Sequence, residues 1–277
     1  MRFPRLALAM VTGLGVFCAA TQRTADAAEN PNDLVLAIQP ILSETETKSA
    51  FTPLADYLSH AAGRKVRLRV FPNFFAYWSE TLAGGEKHDL AIDAAHIADY
   101  RVRRHQFHVV AKQPDTVSYS LIVKEGASLL DAADLVGKKI ATLGIPSMET
   151  MRMDALFPNP ARQPVLVAST HSGESVDMVR GGKVAGAMVP TRIVSREMGG
   201  KGGISVIATT DAVPAPAVSV NPRVPAELRE KIRAALVYAK NSEAGRQMLQ
   251  EIGFTEFEPA SDDTYQGNAD LLKNVGF

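Results

Sequence analysis

Few residues of this sequence are spaced for catalysis or for metal binding. The chain contains no G-x-S-x-G nucleophile elbow, no Walker A loop and no H-E-x-x-H pair. His105 and His108 are three residues apart, but Arg101, Arg103 and Arg104 precede them, which favours a solvated basic face over a metal site. The sequence therefore predicts no catalytic residue, no metal and no cofactor, and we expect a protein that is not an enzyme.

The densest group of side chains suited to recognition is aromatic. Five aromatic residues lie within the segment 71–78, FPNFFAYW, which includes the only Trp of a chain that is 6% aromatic. The segment falls where a predicted strand gives way to a helix, and ligands of α/β proteins bind at such turns. Phe75 and Trp78 are therefore candidate ligand contacts. Packing of this helix against a sheet is the alternative for two or three of the five.

Composition excludes several classes of protein. Lys+Arg and Asp+Glu both total 30, so the chain has no net charge and lacks the basic balance that general nucleic-acid binding requires. Hydrophobic residues make up 46% and charged residues 22%, which is typical of a globular protein. The 277 residues allow one large domain or two ordinary ones.

The N-terminus has the order of a secretory signal peptide. Two arginines precede an apolar stretch over residues 6–20, and residues 25–27 (ADA) form an A-x-A cleavage site. Cys18, the only cysteine, lies in this leader, and Phe17 before it is not the small residue of a lipoprotein signal. We therefore expect removal of residues 1–27 and a soluble, cysteine-free periplasmic product, with lipid anchoring at Cys18 as the alternative.

Strand and helix patterns alternate in two comparable halves. The first half has predicted strands at 34–38, 66–71, 89–93 and 107–111, and predicted helices at 49–62, 76–83 and 96–104. The second half has predicted strands at 118–123, 139–143, 165–168, 185–189 and 204–208, and predicted helices at 130–135, 148–156, 174–180 and 191–198. A strand from 217 and a helical tail from 225 follow. Repeated βαβ units predict an α/β fold with two doubly wound lobes.

Several stretches match one family of transport proteins. They are 53–58 (PLADYL), 89–91 (DLA), 134–141 (DLVGKKIA), His171 with the segment 179–184, and 225–232 (PAELREKI). On these residues the sequence resembles the periplasmic solute-binding proteins of ABC importers and, more narrowly, their phosphate, phosphite and phosphonate-binding family. The resemblance covers nearly the whole mature chain, although most of the matched residues belong to the scaffold.

The resemblance implies a fold and a way of working. The family has a two-lobed periplasmic-binding-protein fold, in which crossover hinge strands join the lobes and the cleft closes on a ligand. By this resemblance, residues 28–116 plus 210–277 form lobe one and residues 117–209 form lobe two. It further implies a small-molecule ligand and a membrane ABC permease as partners. We expect a monomer that binds no nucleic acid.

The resemblance also places candidate ligand contacts in lobe two. In the family, a Ser- and Thr-rich loop after the KKIA strand holds phosphoryl oxygens, and here that loop offers Ser147 and Thr150. Glu149 lies in the same turn and would repel a phosphoryl group. Helix capping by Ser147 is the alternative role. His171 matches a ligand-contacting His of the family, and an ordinary polar position before a helix is its alternative.

Further candidates lie in lobe one. By analogy with the family, Glu44 and Thr45 belong to a polar loop over residues 39–47 that faces the cleft. Asp93 and His96 follow the third strand and occupy the neighbouring loop. Each of these side chains could bind a ligand or cap a helix.

The class of ligand stays open between two possibilities. The family favours a phosphate, phosphite or phosphonate-like oxyanion, but Ala185 stands where the family has an Asp that pairs with a ligand amine. Phe75 stands where the family has a Tyr, and Met148, Met151 and Met153 suit an irregular apolar wall. An apolar or lipid ligand, such as a sterol, is therefore the alternative, as is a role in ligand sensing.

Overall fold

The computed structural model of the protein describes residues 30–84 and 87–275. The predicted signal peptide, its cleavage site and Cys18 lie outside the described residues. No helix within those two ranges is both long enough and apolar enough to cross a bilayer.

Strands and helices alternate along most of the described chain, as the sequence pattern predicts. The strands within the described ranges are β1 (Leu34–Ile38), β2 (Val66–Arg69), β3 (Leu90–Asp93), β4 (His108–Lys112), β5 (Thr116–Val117), β6 (Tyr119–Lys124), β7 (Lys139–Thr142), β8 (Val165–Ala168), β9 (Gly186–Pro190), β10 (Ile204–Thr209), β11 (Val213–Pro214), β12 (Ala217–Val220) and β13 (Glu258–Pro259). The α-helices there are α1 (Glu44–Ala62), α2 (Phe74–Leu82), α3 (Ala95–His105), α4 (Met148–Met151), α5 (Met153–Leu156), α6 (Ser172–Arg180), α7 (Thr191–Gly199), α8 (Ala226–Val237) and α9 (Glu243–Ile252). Short 3₁₀ helices cover Ala132–Leu135, Ala239–Asn241, Asp262–Tyr265 and Asn268–Val275.

The strands form two main sheets, one in each half of the architecture. Lobe one is built on a six-stranded sheet with the order β13-β4-β12-β3-β1-β2, and lobe two on a five-stranded sheet with the order β10-β6-β9-β7-β8. β1 runs parallel to β2 and β3, and β7 runs parallel to β8 and β9. The predicted fold class of two α/β lobes is therefore confirmed. The carboxyl ends of the parallel strands meet at one edge of each sheet, which is where α/β proteins bind ligands.

A two-stranded ribbon lies between the two sheets. β5 and β11 pair antiparallel, with Val213 opposite Val117 and Pro214 opposite Thr116. One strand leads from lobe one into lobe two, and the other leads back. Because the two crossings lie side by side, a small change in their dihedral angles would rotate one lobe against the other.

Both sheets are mixed, with antiparallel as well as parallel strand pairs, and helices pack on both faces of each. In lobe one, Leu36 of β1 belongs to a buried cluster with Leu54 and Leu58 of α1 and with Ile232 of α8. In lobe two, residues from β6, β7 and β9 form one cluster with the Met148 and Met153 region, and a second cluster with α6 and α7. From Asn32 onward the chain forms one compact unit, so the two lobes are in contact.

The start of α1 differs from the sequence prediction. Ser43 is the N-cap residue, and its hydroxyl accepts a hydrogen bond from the Glu46 amide (3.3 Å), while the Glu46 carboxylate accepts from the Ser43 amide (3.1 Å). This reciprocal capping box begins the helix at Glu44 rather than at Ser49. The prediction of a polar loop over residues 39–47 is therefore wrong from Glu44 onward. Glu44 and Thr45 lie in the exposed first turn of α1.

Candidate functional site

The two lobes meet through loops at the carboxyl ends of their parallel strands. The Ser172 amide at the start of α6 donates a hydrogen bond to the Ile41 carbonyl after β1 (3.0 Å). His96 Nε2 at the start of α3 lies 2.7 Å from the Pro146 carbonyl oxygen after β7. Leu143 of lobe two belongs to the aromatic cluster of lobe one. The lobes are therefore closed on each other at this junction.

Buried hydroxyl groups line lobe two at the junction. Thr150 Oγ1 donates to Thr142 Oγ1 (2.9 Å), and Ser147 Oγ lies 3.1 Å from Thr150 Oγ1. After β8, Ser169 Oγ lies 2.6 Å from Ser175 Oγ. All five side chains are buried. We call them the hydroxyl cluster; a hydroxyl can rotate to donate or to accept, so the cluster can satisfy either itself or a bound polar group.

The helix predicted after β7 is divided into two single turns, α4 and α5, at Arg152. Ser147 caps α4, and its hydroxyl accepts a hydrogen bond from the Thr150 amide (3.3 Å). The capping role that the sequence left open for Ser147 is thus observed. Because α4 is only one turn long, a helix dipole contributes little here, and the hydroxyl groups are the hydrogen-bonding side chains that this loop offers.

Glu149 connects the loops that follow β7 and β8. Its Oε2 accepts a hydrogen bond from the Leu143 amide (3.1 Å), and its Oε1 accepts one from Ser172 Oγ (2.7 Å). The side chain is fully buried, and no ion pair to it occurs among residues 30–84 and 87–275. Burial raises the pKa of Glu149 to about 8, against the opposing effect of the two hydrogen bonds. The carboxyl group is therefore largely protonated at neutral pH.

His96 connects lobe one to the same loop. The imidazole is fully buried, and Nε2 donates to the Pro146 carbonyl, which can only accept. Burial lowers the pKa of His96 to about 4, so the ring is neutral at physiological pH. Nδ1 has no hydrogen-bond partner among the described residues. His96 thus brings an uncharged acceptor, and no positive charge, to the junction.

His171 lies beside the interlobe hydrogen bond of Ser172. It is the N-cap residue of α6, and its Nδ1 accepts a hydrogen bond from the Glu174 amide (3.3 Å). The side chain is half-buried. His171, which matches a ligand-contacting His of the family, therefore also caps α6. The other nitrogen of its ring remains for other contacts.

Asp93 points into lobe one. Its Oδ2 accepts a hydrogen bond from Arg101 Nε (2.7 Å), and its Oδ1 accepts one from the Tyr77 hydroxyl. All three side chains are fully buried. The carboxylate holds the turn between β3 and α3, and this turn positions His96.

Most of the aromatic segment packs in the core of lobe one. Phe74, Tyr77 and Trp78 lie on one face of α2 at helical spacing and are buried, together with Phe71. Phe75 lies on the opposite face and is 77% exposed. Packing in the core, the alternative to ligand contact that the sequence left open for two or three of these residues, is therefore observed for four of the five.

The predicted contacts thus fall into groups. Ser147, Thr150 and His96 come together at the junction, and His171 is next in sequence to Ser172. Met148 is buried in the core of lobe two beside that loop. Thr142, Ser169, Ser172 and Ser175 were not predicted from the sequence, although a run of polar residues at the carboxyl end of β7 and between β8 and the first turn of α6 was a signal for them.

Comparison with known proteins identifies the family. Residues 36–265 match the model of the periplasmic phosphonate substrate-binding proteins of ABC transporters. The chain belongs to this family. The resemblance stated from the sequence is confirmed. The family consists of substrate-binding proteins rather than enzymes, and membership implies export, a small-molecule ligand and a membrane permease partner. It gives no support to the alternative of an apolar or lipid ligand.

Solved structures share the fold at low sequence identity. PhnD1 from Prochlorococcus marinus, in complex with methylphosphonate, has a TM-score of 0.77 at 11% identity, covering 89% of this chain and 99% of its own. A binding-protein component of an ABC phosphonate transporter from Pseudomonas aeruginosa has a TM-score of 0.74 at 15% identity, covering 86% and 85%. XAC2383 from Xanthomonas citri, bound to ATP, has a TM-score of 0.67 at 12% identity, covering 87% and 95%. A search of curated proteins gives no match.

Proposed function

We propose that residues 28–277 are exported as a monomer, after cleavage near Ala27, and capture a phosphate, phosphite or phosphonate-like oxyanion between the lobes. The observation that carries the proposal is the hydroxyl cluster, which is buried on the loops of lobe two that touch lobe one. A tetrahedral oxyanion needs several converging hydrogen-bond donors, and these are strongest when the acceptor is charged. Family membership supports the same class of ligand.

Capture requires the lobes to open and close. Lobe one (28–116 plus 210–277) and lobe two (117–209) rotate about β5 and β11, which separates Ser172 from Ile41 and His96 from Pro146. The oxyanion enters the open junction, and closure buries it. The closed, ligand-bound form is the one that the permease recognises.

Four side chains are the proposed polar contacts. Ser147 and Thr150 bond to each other in the closed protein, and each hydroxyl can rotate to donate to a ligand oxygen instead. His171 donates from its second ring nitrogen. His96 contributes from lobe one the unprotonated Nδ1 of its neutral ring, which accepts a hydrogen bond from a protonated ligand oxygen, so that contacts from both lobes hold the ligand.

Calorimetric titration of residues 28–277 with methylphosphonate, phosphite and phosphate tests this function. We expect saturable binding of at least one of them. Because a hydrogen bond to a charged group contributes about 1.5–3 kcal/mol, Thr150→Val and Ser147→Ala should each weaken binding about tenfold or more. The matched control is Ser242→Ala, since Ser242 caps α9 as Ser147 caps α4 but lies outside the junction. This control should lose stability and keep its affinity.

Other outcomes would contradict the proposal. Binding of ATP alone, or a thermal shift with a lipid extract and none with any phosphorus oxyanion, would assign the junction to a different ligand. Equal loss of affinity in Ser147→Ala and in Ser242→Ala would show that the serine acts only through helix stability. Sedimentation of the ligand-free protein as a dimer would contradict the monomer.

A further inference from the structure

The junction already holds one acidic group of the chain itself. The two oxygens of Glu149 take a backbone amide from the loop after β7 and a hydroxyl from the loop after β8. These are the same two loops that carry the hydroxyl cluster. Because Glu149 bridges these two loops, a ligand oxygen that reached both of them would lie near its carboxyl group.

Within residues 30–84 and 87–275, Glu149 responds only to burial and to its two hydrogen bonds, and no Lys, Arg or His charge offsets it. On α3, His96 is neutral and donates to Pro146. On β6, Tyr119 is the buried titratable group that senses the charge of Glu149, and burial raises the pKa of its hydroxyl further from neutrality. Arg152, at the end of α4, directs its guanidinium to the Asp211 carbonyl near the crossover (3.4 Å).

The remaining neighbours bring no paired positive charge to Glu149. On α6, Nδ1 of His171 caps the helix and the other ring nitrogen is the proposed donor to the ligand, while the Glu174 carboxylate accepts from both the amide and the hydroxyl of Thr170. On β3, Asp93 is paired with Arg101. An ionised Glu149 and a fully ionised ligand would then face each other in a buried, uncompensated site, and two such groups cannot both remain charged.

We propose that Glu149 contacts the bound oxyanion and that the two groups share one proton, so that ligand capture from alkaline solution takes up one proton. This inference rests on the proposed function of the same junction. The proton comes from water on binding and lies between a carboxyl oxygen and a ligand oxygen, as a short charge-assisted hydrogen bond. It returns to water when the ligand leaves, and no other bond is made or broken. Glu149 is thus a ligand-binding residue rather than a repulsive neighbour.

The test is the affinity for methylphosphonate between pH 7 and pH 9.5. Above about pH 8, where free Glu149 is ionised, the Kd of the wild type should rise up to about tenfold per pH unit. Glu149→Gln keeps the shape of the side chain and cannot titrate, so its Kd should change less than about twofold over the same alkaline range. Glu174→Gln removes the same charge from the first turn of α6 and should retain the pH dependence of the wild type.

A second measurement makes the test independent of how well the variant folds. Calorimetry of the wild type at pH 9 in two buffers with different ionisation heats counts the protons taken up, and we expect about one. If methylphosphonate binds without proton uptake, and its Kd is constant above pH 8, the inference of a shared proton is wrong. The proposed function would then remain intact. Absence of binding to methylphosphonate, phosphite and phosphate at every pH would overturn the proposed function, and the inference with it.

Discussion

Replacement of Arg101 by Met tests whether the buried ion pair holds lobe one together. The guanidinium of Arg101 is fully buried, with Nε 2.7 Å from Asp93 Oδ2 and one terminal nitrogen 3.0 Å from Thr81 Oγ1 and 3.3 Å from the Tyr77 hydroxyl. It also lies 5.1 Å above the ring of Phe107. Met fills a similar volume and removes the charge and every donor. Asp93 is then left buried with the Tyr77 hydroxyl as its hydrogen-bond donor.

The expected loss is large because one partner of a buried pair is left behind. Removal of one partner typically costs about 3–5 kcal/mol, out of a total stability of about 5–15 kcal/mol. For a chain of this size, such a loss lowers Tm by roughly 10 °C. Arg103→Met is the matched control on the same helix, since Arg103 is 40% exposed. It pairs with the exposed Asp270 and with the buried Asp99, which keeps the Ala269 amide as a hydrogen-bond donor (2.7 Å) when Arg103 is replaced. Its expected cost is about 0–1 kcal/mol.

Denaturant unfolding of residues 28–277, followed by circular dichroism at pH 5 and pH 7, measures both variants. Burial raises the pKa of Asp93 and Arg101 opposes that rise, so without Arg101 the folded-state pKa lies still further above the unfolded value. The stability that the protonated carboxyl group contributes is present at low pH and is lost as the pH rises through the folded pKa. The deficit of Arg101→Met should therefore be smaller at pH 5. The double variant Asp93→Val/Arg101→Met removes both charges and should recover much of the loss. An Arg101→Met variant that loses no more than Arg103→Met, or whose deficit is the same at both pH values, would refute the reasoning.

Three further predictions concern single side chains. Burial raises the pKa of Glu149 to about 8, so the stability that the protonated carboxyl group contributes is fully present below the unfolded pKa. This contribution declines as the pH rises toward 8, by up to about 1.4 kcal/mol per pH unit. Denaturant melts of Glu149→Gln should lack this pH-dependent loss of stability. Trp78→Ala should cost about 3–5 kcal/mol because the ring is buried, whereas Phe75→Ala should stay within about 0.5 kcal/mol; equal effects in thermal melts would contradict the packing of α2. Ser43→Ala breaks the capping box with Glu46 and should lower stability by about 1 kcal/mol, and an unchanged Tm would show that α1 does not depend on that cap.

The strand and helix order could be predicted because it depends on short-range pattern. Leu34–Ile38 and Val165–Ala168 have the predicted bounds, and Gly63 ends α1 in the left-handed conformation that glycine tolerates. The two-lobed fold also follows from the repeated βαβ order. The errors are local: the capping box at Ser43 lengthens α1, and a break at Arg152 divides the helix after β7.

The candidate site could be predicted only in part. Ser147 and Thr150 were predicted as contacts because they follow a strand and match a family motif, and the structure places both in the buried hydroxyl cluster. The burial of Glu149 was not predicted, because a carboxylate in a first turn carries no signal of whether it will be exposed or buried. Its burial depends on Leu143 and Ser172, which approach it only in the folded lobe.

By itself, the sequence determined the α/β class, the family and the expectation of export, because each depends on residue type and spacing along the chain. Tertiary structure decided which side chains share the junction. His96 meets Pro146 although 50 positions separate them, and Ser172 reaches Ile41 across the two lobes. The pattern of residues along the chain shows which face of a helix or strand is apolar. It does not show which polar group, distant in sequence, a given side chain will contact in the folded protein. The charge and protonation of Glu149 depend on that second kind of information, because burial and hydrogen bonding set its pKa.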